Sequence, residues 1–186
     1  MSARIPRLAL ADMPSELAAK LRSRVERLGY LGEFFACAAH QPAALAGFVD
    51  FTEALKHALP DRLLQLCALS VAGELGNDYE RNQHERLALR LGLSRAWIAA
   101  VNARDPEAQS ELDATEIAVQ RLALAAVRSG GRGTSTLVEA VVDGIGAAAS
   151  VGVLLVIARY AAHALVVNAL EIRPPVPSIF DDGFQP

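Results

Sequence analysis

A carboxylate and an imidazole lie one helical turn apart near the middle of the chain, at Glu80 and His84. Gly76 and Gly92 bound the stretch that contains them, as expected for the ends of a helix. At about 100° per residue, its side chains divide into two faces. One face holds Asn77, Glu80, His84, Leu87, Ala88 and Leu91, and the other, polar face holds Asp78, Asn82, Glu85, Arg86 and Arg90. The apolar members of the first face predict that Glu80 and His84 point into the protein.

Such a pair has two interpretations. Burial raises the pKa of a carboxyl group and lowers that of an imidazole, while each partner opposes the other's shift, so a coupled Glu–His pair in a dry pocket can transfer protons near neutral pH. The structural interpretation is a capping box, in which Asn77 caps the helix and Glu80 reaches back to the Asn77 backbone N–H. His84 would then be an ordinary core histidine. The spacing alone leaves both interpretations open.

Helical periodicity dominates the rest of the chain, and no segment alternates at period two, so we expect an all-α helical bundle. Residues 61–75, DRLLQLCALSVAGEL, are apolar nearly all round and predict a buried helix that pairs with the helix of Glu80 and His84. Tyr160 and His163 lie at i, i+3 spacing on the last long helix and so share a face. That face can close a pocket, although core packing is the commoner role of buried tyrosine and histidine.

The length of 186 residues fits one domain, 1–186, with a core at 42–172. Residues 173–186 include Pro174, Pro175 and Pro177 and predict an extended C-terminal arm. The glycine-rich loop at 130–133 is the most flexible-looking connection, and the sequence does not show whether it covers a site.

Composition excludes several classes of function. A net charge of −3 argues against a nucleic-acid partner. Cys37 and Cys67 lie in apolar helical runs, which is typical of reduced core thiols in a cytoplasmic protein. The histidines and cysteines show no metal-ligand spacing. Residues 144–158 carry no charge, but this run is shorter than a membrane span, so we expect a buried helix and no membrane partner.

The apolar content of 52% favours a homo-oligomer, because surplus apolar surface on a small domain often forms a subunit interface.

Residues 60–101 resemble the core of the carboxymuconolactone decarboxylase family, which includes the alkylhydroperoxidase D-like proteins. The resemblance lies in an apolar helix followed by Gly76, Asn77, Glu80, His84 and Gly92-Leu93-Ser94. RIPRL and PSEL near the start and YAAHALVVNALEIRP near the end are similar to long members of the family.

The resemblance implies an all-α fold, an oligomer and a pocket between two helices, the apolar helix of residues 61–75 and the helix that carries Glu80 and His84. Peroxidase members use a Cys-x-x-Cys, whose positions here are Asn77 and Glu80, and a relay Glu twelve residues earlier, whose position here is Gln65. Peroxidase activity is therefore disfavoured, and a peroxidase using Cys67 alone would need an exposed thiol where the neighbours predict a buried one.

Decarboxylase-like members keep the Glu and His at this spacing. The resemblance thus implies a lyase that acts on a small organic acid or lactone without a cofactor, with His84 as proton donor and Glu80 as its orienting partner. Gln65, Asn77, Tyr160 and His163 are further candidates for the pocket. The alternative is an inactive member that binds a ligand or serves in assembly, which the Gln65 and Asn77 replacements favour.

Overall fold

The computed structural model describes residues 5–108 and 110–184, and over these residues the chain is all-α, without a strand. The predicted fold class is therefore confirmed. Within the described residues the bundle consists of eight α-helices: α1 (Ser15–Leu28), α2 (Glu33–Ala38), α3 (Pro42–Leu55), α4 (Asp61–Glu74), α5 (Asp78–Arg90), α6 (Arg95–Ala103), α7 (Ala114–Ser129) and α8 (Ser135–Ala169).

Helix α4 is the centre of the bundle and contacts α5, α6, α7 and α8. Every residue from Leu64 to Ala72 is buried, as an apolar sequence without a polar face predicts. Two polar side chains, Gln65 and Ser70, lie within that stretch. A buried polar group costs free energy unless it is hydrogen-bonded, so each of them must have a partner on a neighbouring helix.

The buried side chains form two hydrophobic clusters. The larger cluster joins α4, α6, α7 and the middle of α8, and Trp97 is its largest fully buried side chain. The smaller cluster joins α1, α2 and α3 to Tyr79 and to Val167 near the end of α8. Helix α8 and the start of α5 therefore lie between the two clusters.

Helix α8 combines two helical segments that meet at a kink. Gly146 has φ 78° and ψ 165°, a conformation that a residue with a Cβ adopts only at a cost, so glycine permits the kink. The most apolar 18 residues of the helix have a mean hydropathy of 2.2, and 33% of them are buried. By length and composition α8 is thus the one helix in the described chain that could cross a membrane.

Residues 173–184 run without a helix along the outer face of α5. Asn82 Nδ2 donates to the Val176 carbonyl at 3.0 Å, and the buried Glu85 carboxylate accepts from Ser178 Oγ at 2.6 Å and from Ile179 N at 3.1 Å. Ile179 itself is fully buried in the larger cluster. This arm covers the polar face of α5, because the carboxylate and amide on that face pair with the backbone and side chains of the arm.

The exposed apolar face of α8 yields the first prediction. Val151 and Leu165 are 55% and 73% exposed, and Leu154 and Leu155 accompany them. We expect the protein to be a homo-oligomer through this face, because a contiguous apolar patch is costly to leave in water. Val151→Glu with Leu165→Glu should lower the mass measured by sedimentation velocity to that of a monomer. The matched control is Leu91→Glu, which alters an exposed leucine away from α8, and a monomeric wild type would contradict the prediction.

Candidate functional site

The first turn of α5 presents Glu80 to the protein interior. Asn77 is the N-cap residue, and its Oδ1 accepts from the Glu80 backbone N–H at 3.3 Å. The reciprocal half of a capping box is missing, because the Asn77 N–H donates to the Ala72 carbonyl at 2.8 Å. The interpretation of Glu80 as a cap alone is therefore wrong: Asn77 caps the helix, and the Glu80 carboxylate is left for another partner.

That partner is Arg159 on α8. Arg159 Nη1 donates to Glu80 Oε1 at 2.7 Å, and both side chains are buried, at 5% and 8% exposure. Two imidazoles lie beside the same carboxylate, His163 with Nδ1 3.4 Å from Oε1 and His84 with Nε2 3.5 Å from Oε2. Burial alone would raise the pKa of Glu80, but His163, Arg159 and His84 together hold that pKa well below its usual range. Glu80 is thus an anion neutralised by Arg159.

His84 is held in one tautomer by its neighbours. Its Nδ1 lies 2.8 Å from Gln65 Oε1, and because an amide oxygen can only accept, Nδ1 must carry the proton. Burial lowers the pKa of His84 to about 4 against the opposing effect of Glu80, so the imidazole is neutral at pH 7 and its Nε2 has a free electron pair. Tyr160 donates its hydroxyl proton to that Nε2 at 3.1 Å. At neutral pH His84 therefore begins as a base, and the predicted role of proton donor requires that it first take up a proton.

His163 lies deeper in the protein and is 2% exposed. Asn77 Nδ2 lies 3.4 Å from its Nδ1, and the rings of Phe34 and Tyr79 lie 4.1 and 5.8 Å from its own ring, measured between centroids. Burial lowers the pKa of His163 to about 4. His163 is thus a neutral, packed histidine that supports the Glu80 carboxylate.

Arg159 was missed by the sequence interpretation. Its Nε donates to Thr52 Oγ1 on α3 at 3.2 Å, and its Cζ lies 4.3 and 5.2 Å from the ring centroids of Tyr160 and Phe48. The sequence did contain a signal, because Arg159 is the one Lys, Arg, Asp or Glu between residues 144 and 170. A charge in such an apolar helix must be paired when it is buried, so it indicated a buried anion elsewhere.

A cavity of about 410 Å³ opens beside these groups. Five of the six side chains predicted to form the site line it: Gln65, Glu80, His84, Tyr160 and His163. Asn77 does not line the cavity and contacts His163 from behind. The walls are mainly apolar, with Leu28, Phe35, Leu55, Leu64, Leu87 and Val156 among them. This combination of an apolar cavity with a few converging polar groups is the usual form of a small-molecule site.

The other candidates lie away from the cavity. Cys67 is fully buried in α4, as its apolar neighbours predict, and burial raises the pKa of its thiol to about 12. A thiol of that kind is not the reactive thiolate that peroxide reduction needs. Gly130 and Gly131 of the glycine-rich loop line a separate apolar groove beside α7 and α8. Within the described residues, no group of three or more His, Cys, Asp or Glu is arranged to hold a metal ion.

Comparisons with known proteins agree with this architecture. The family profile described as "Carboxymuconolactone decarboxylase family" matches residues 42–120, which include Gln65, Glu80 and His84 but end before α8. No curated protein matches the sequence. Two solved structures each superimpose with a TM-score of 0.80. One is a cysteine-to-alanine variant of the debrominase Bmp8 in complex with 2,3,4-tribromopyrrole, which is 16% identical and matches 93% of this chain and 92% of its own. The other is an alkylhydroperoxidase AhpD core protein from Ralstonia eutropha JMP134, an uncharacterized peroxidase-related protein, which is 15% identical and matches 94% of this chain and 93% of its own. At these identities the likeness shows the fold.

The ion pair generates a prediction about stability. Glu80→Gln removes the anion and leaves the Arg159 guanidinium buried without its counter-charge, so the free energy of unfolding should fall by about 3–5 kcal/mol. Adding Arg159→Met to Glu80→Gln should restore much of that loss, because the second change removes the uncompensated charge. Urea denaturation of both variants measures the difference. The control is Asp78→Asn in the same helical turn, which breaks an exposed pair with Arg81 and should cost under about 1 kcal/mol. Equal effects of Glu80→Gln and Asp78→Asn would contradict the assignment.

The two histidines of the site, His84 and His163, generate a prediction about pH. Their pKa values are about 4 in the folded protein and about 6.5 in an unfolded chain. Between these values the unfolded chain binds protons that the folded protein does not, so lowering the pH across this window destabilises the fold. Each histidine should contribute about 1.4 kcal/mol per pH unit there. In denaturation curves taken between pH 7 and 4, His84→Asn should therefore show a shallower loss of stability than wild type. His57→Asn, at an exposed histidine, should match wild type, and identical slopes in all three proteins would contradict the prediction.

Proposed function

We propose that the cavity is an active site for proton transfer to and from carbon in a small organic acid or lactone. The proposal starts from the match of residues 42–120 to the carboxymuconolactone decarboxylase family. The observation that carries the proposal is the neutral His84, whose Nε2 is unprotonated at the edge of a mostly apolar cavity. The protein would act as a lyase when the proton transfer accompanies loss of CO2.

The arrangement around His84 supports catalysis in both directions. The Tyr160 hydroxyl, which donates to Nε2 in the free protein, must turn away before Nε2 takes a proton from a C–H bond beside a carbonyl group. The imidazolium then lies 3.5 Å from the Glu80 carboxylate, which stabilises it. Gln65 accepts from Nδ1 in either protonation state, so the ring need not turn during the reaction. Gln65 is thus a positioning residue. It occupies the position where peroxidase members of the family have a glutamate, and an amide there is compatible with a His84 base that keeps one tautomer.

In a decarboxylation, the bond between the substrate carbon and its carboxylate breaks and CO2 leaves. The electron pair passes into the unsaturated lactone, and the carbon then takes a proton from His84 Nε2. A carboxylate bound beside His84 raises the pKa of the imidazole, because an opposite charge favours the protonated form. The substrate would therefore bind together with one proton from solvent, and His84 would supply that proton after CO2 has left.

The alternative is an inactive member that binds a ligand or serves in assembly. Dithiol peroxidase activity remains disfavoured, since Asn77 and Glu80 occupy the positions of the redox cysteines and Cys67 is buried. The packing of Gln65 against His84 weakens one argument for inactivity, because this replacement has an ordered contact with the candidate base.

Hydrogen exchange at carbon tests the proposal. Unsaturated lactones and β-keto acids incubated with the protein in D2O should gain deuterium at one carbon, with or without release of CO2, as followed by ¹H NMR. His84→Asn should slow this exchange by about 100-fold or more, the usual contribution of a general base. His57→Asn, which alters an exposed histidine outside the cavity, is the matched control.

Two outcomes would contradict the proposal. Exchange that persists in His84→Asn would assign the proton transfer to another group. Binding of these compounds without exchange in wild type would favour the ligand-binding alternative.

A further inference from the structure

The charges around the cavity are distributed unevenly. Its deep end holds Glu80 and Arg159, which neutralise each other, together with His84 and His163, which are neutral because burial holds their pKa values near 4. The deep end therefore has polar groups but no net charge. It suits a ligand group that adds no net charge, such as a carbonyl or a carboxylate that binds together with a proton.

The mouth of the cavity is cationic. Arg27 at the end of α1 and Arg90 at the end of α5 are exposed and line the cavity, and neither forms an ion pair or a side-chain hydrogen bond among the described residues. Arg24 and Lys56 also line it and share the single carboxylate of Glu53. Asp61 is the one acidic residue of the mouth. The mouth thus has four cationic side chains and only two nearby carboxylates, Asp61 and Glu53. This local excess of positive charge contrasts with the net charge of −3 for the whole chain.

Between these two ends the wall is apolar. Leu28, Leu55, Leu64 and Leu87 line it together with Phe35. A cavity of about 410 Å³ lies within the range that accommodates a drug-sized ligand, which is larger than a lone small lactone. The lining residues of α5 follow one order along the helix, with Glu80 and His84 first, Leu87 next and Arg90 last. The site thus has a neutral polar end, an apolar middle and a cationic mouth.

From this order we infer that Arg27 and Arg90 form an anion-binding subsite, and that the substrate is an elongated amphipathic acid. Its anionic group binds at the mouth, its apolar body fills the middle, and its reacting end, a carbonyl or a carboxylate that binds together with a proton, lies at His84. The inference rests on the proposed function only in taking the His84 end as the reacting end. The anionic group at the mouth is distinct from any group lost in the reaction, because the mouth lies across the apolar wall from His84.

Matched ligands and matched variants test this subsite. The probes are 4-phenylbutanoate, its uncharged amide 4-phenylbutanamide, and butanoate, which lacks the aromatic body. Isothermal titration calorimetry measures their dissociation constants at pH 7 with wild type, Arg27→Gln/Arg90→Gln and Arg22→Gln. Arg22 lies on α1 and does not line the cavity, so it controls for the general field of the protein.

We expect wild type to bind 4-phenylbutanoate about tenfold more tightly than either the amide or butanoate, as expected for one charge-assisted contact and one buried apolar group. The double variant should lose the preference for acid over amide, and Arg22→Gln should keep it. Binding should also shift the ¹⁵N resonances of the His84 imidazole, which places the body of the ligand in the cavity.

Several outcomes would overturn the inference: equal affinities for acid and amide in wild type, an equal loss in Arg22→Gln, an unshifted His84, or no binding of any probe. The result is separable from the test of proton transfer. An acid preference that depends on Arg27 and Arg90 in a protein without hydrogen exchange would uphold the subsite and overturn the proposed reaction. Hydrogen exchange in a protein that binds acid and amide equally would uphold the proposed reaction and overturn the subsite.

Discussion

The buried ion pair between Glu80 and Arg159 is the interaction on which the site depends. Neither charge could be buried alone, since an isolated ion loses several kcal/mol of hydration on leaving water, so each requires the other in place. The pair joins α5 to α8, and the bond from Arg159 to Thr52 adds α3. The electrostatic state of the cavity follows from the pair. Burial lowers the pKa values of the two imidazoles, and with Glu80 neutralised by Arg159 they gain too little from the carboxylate to remain protonated at neutral pH, so His84 is left as a base.

The helices around this pair have separate roles. Helix α4 is buried on all sides from Leu64 to Ala72, so its Gln65 is packed in place and can fix the tautomer of His84. Helix α5 carries Glu80 and His84 on one face and binds the C-terminal arm through Glu85 on the other. Helix α8 supplies Arg159 and Tyr160 on its inner face while its outer face remains apolar and exposed. The apolar residues of this chain therefore lie in two places, the buried core and the exposed outer face of α8.

Much of the fold was predictable from local signals, whereas pairings across the chain were not. The apolar run in α4, the Asn77 cap and the separation of α5 into two faces all follow from residues close together in sequence. The role of Arg159 depends on Glu80, 79 residues away, and periodicity contains no information about that distance. The partner of the polar face of α5 could not be predicted for the same reason, since the arm that covers Asn82 and Glu85 is more than 90 residues further along. Leu91 and Arg90, assigned to the interior and to the polar face, both lie at the rim of the cavity.

The contact between Glu85 and the arm has a consequence for folding on the ribosome. The carboxylate of Glu85 has two of its hydrogen-bond partners in Ser178 and Ile179, and Ser178 is synthesised 93 residues later. At about 5–20 residues per second, translation leaves that carboxylate without these partners for roughly 5–20 s. During this interval α5 would have to keep its outer face hydrated, so the helix that carries the candidate base cannot be fully packed before the arm emerges. Synonymous codons between α5 and the arm would then affect the yield of folded protein without altering any residue of the cavity.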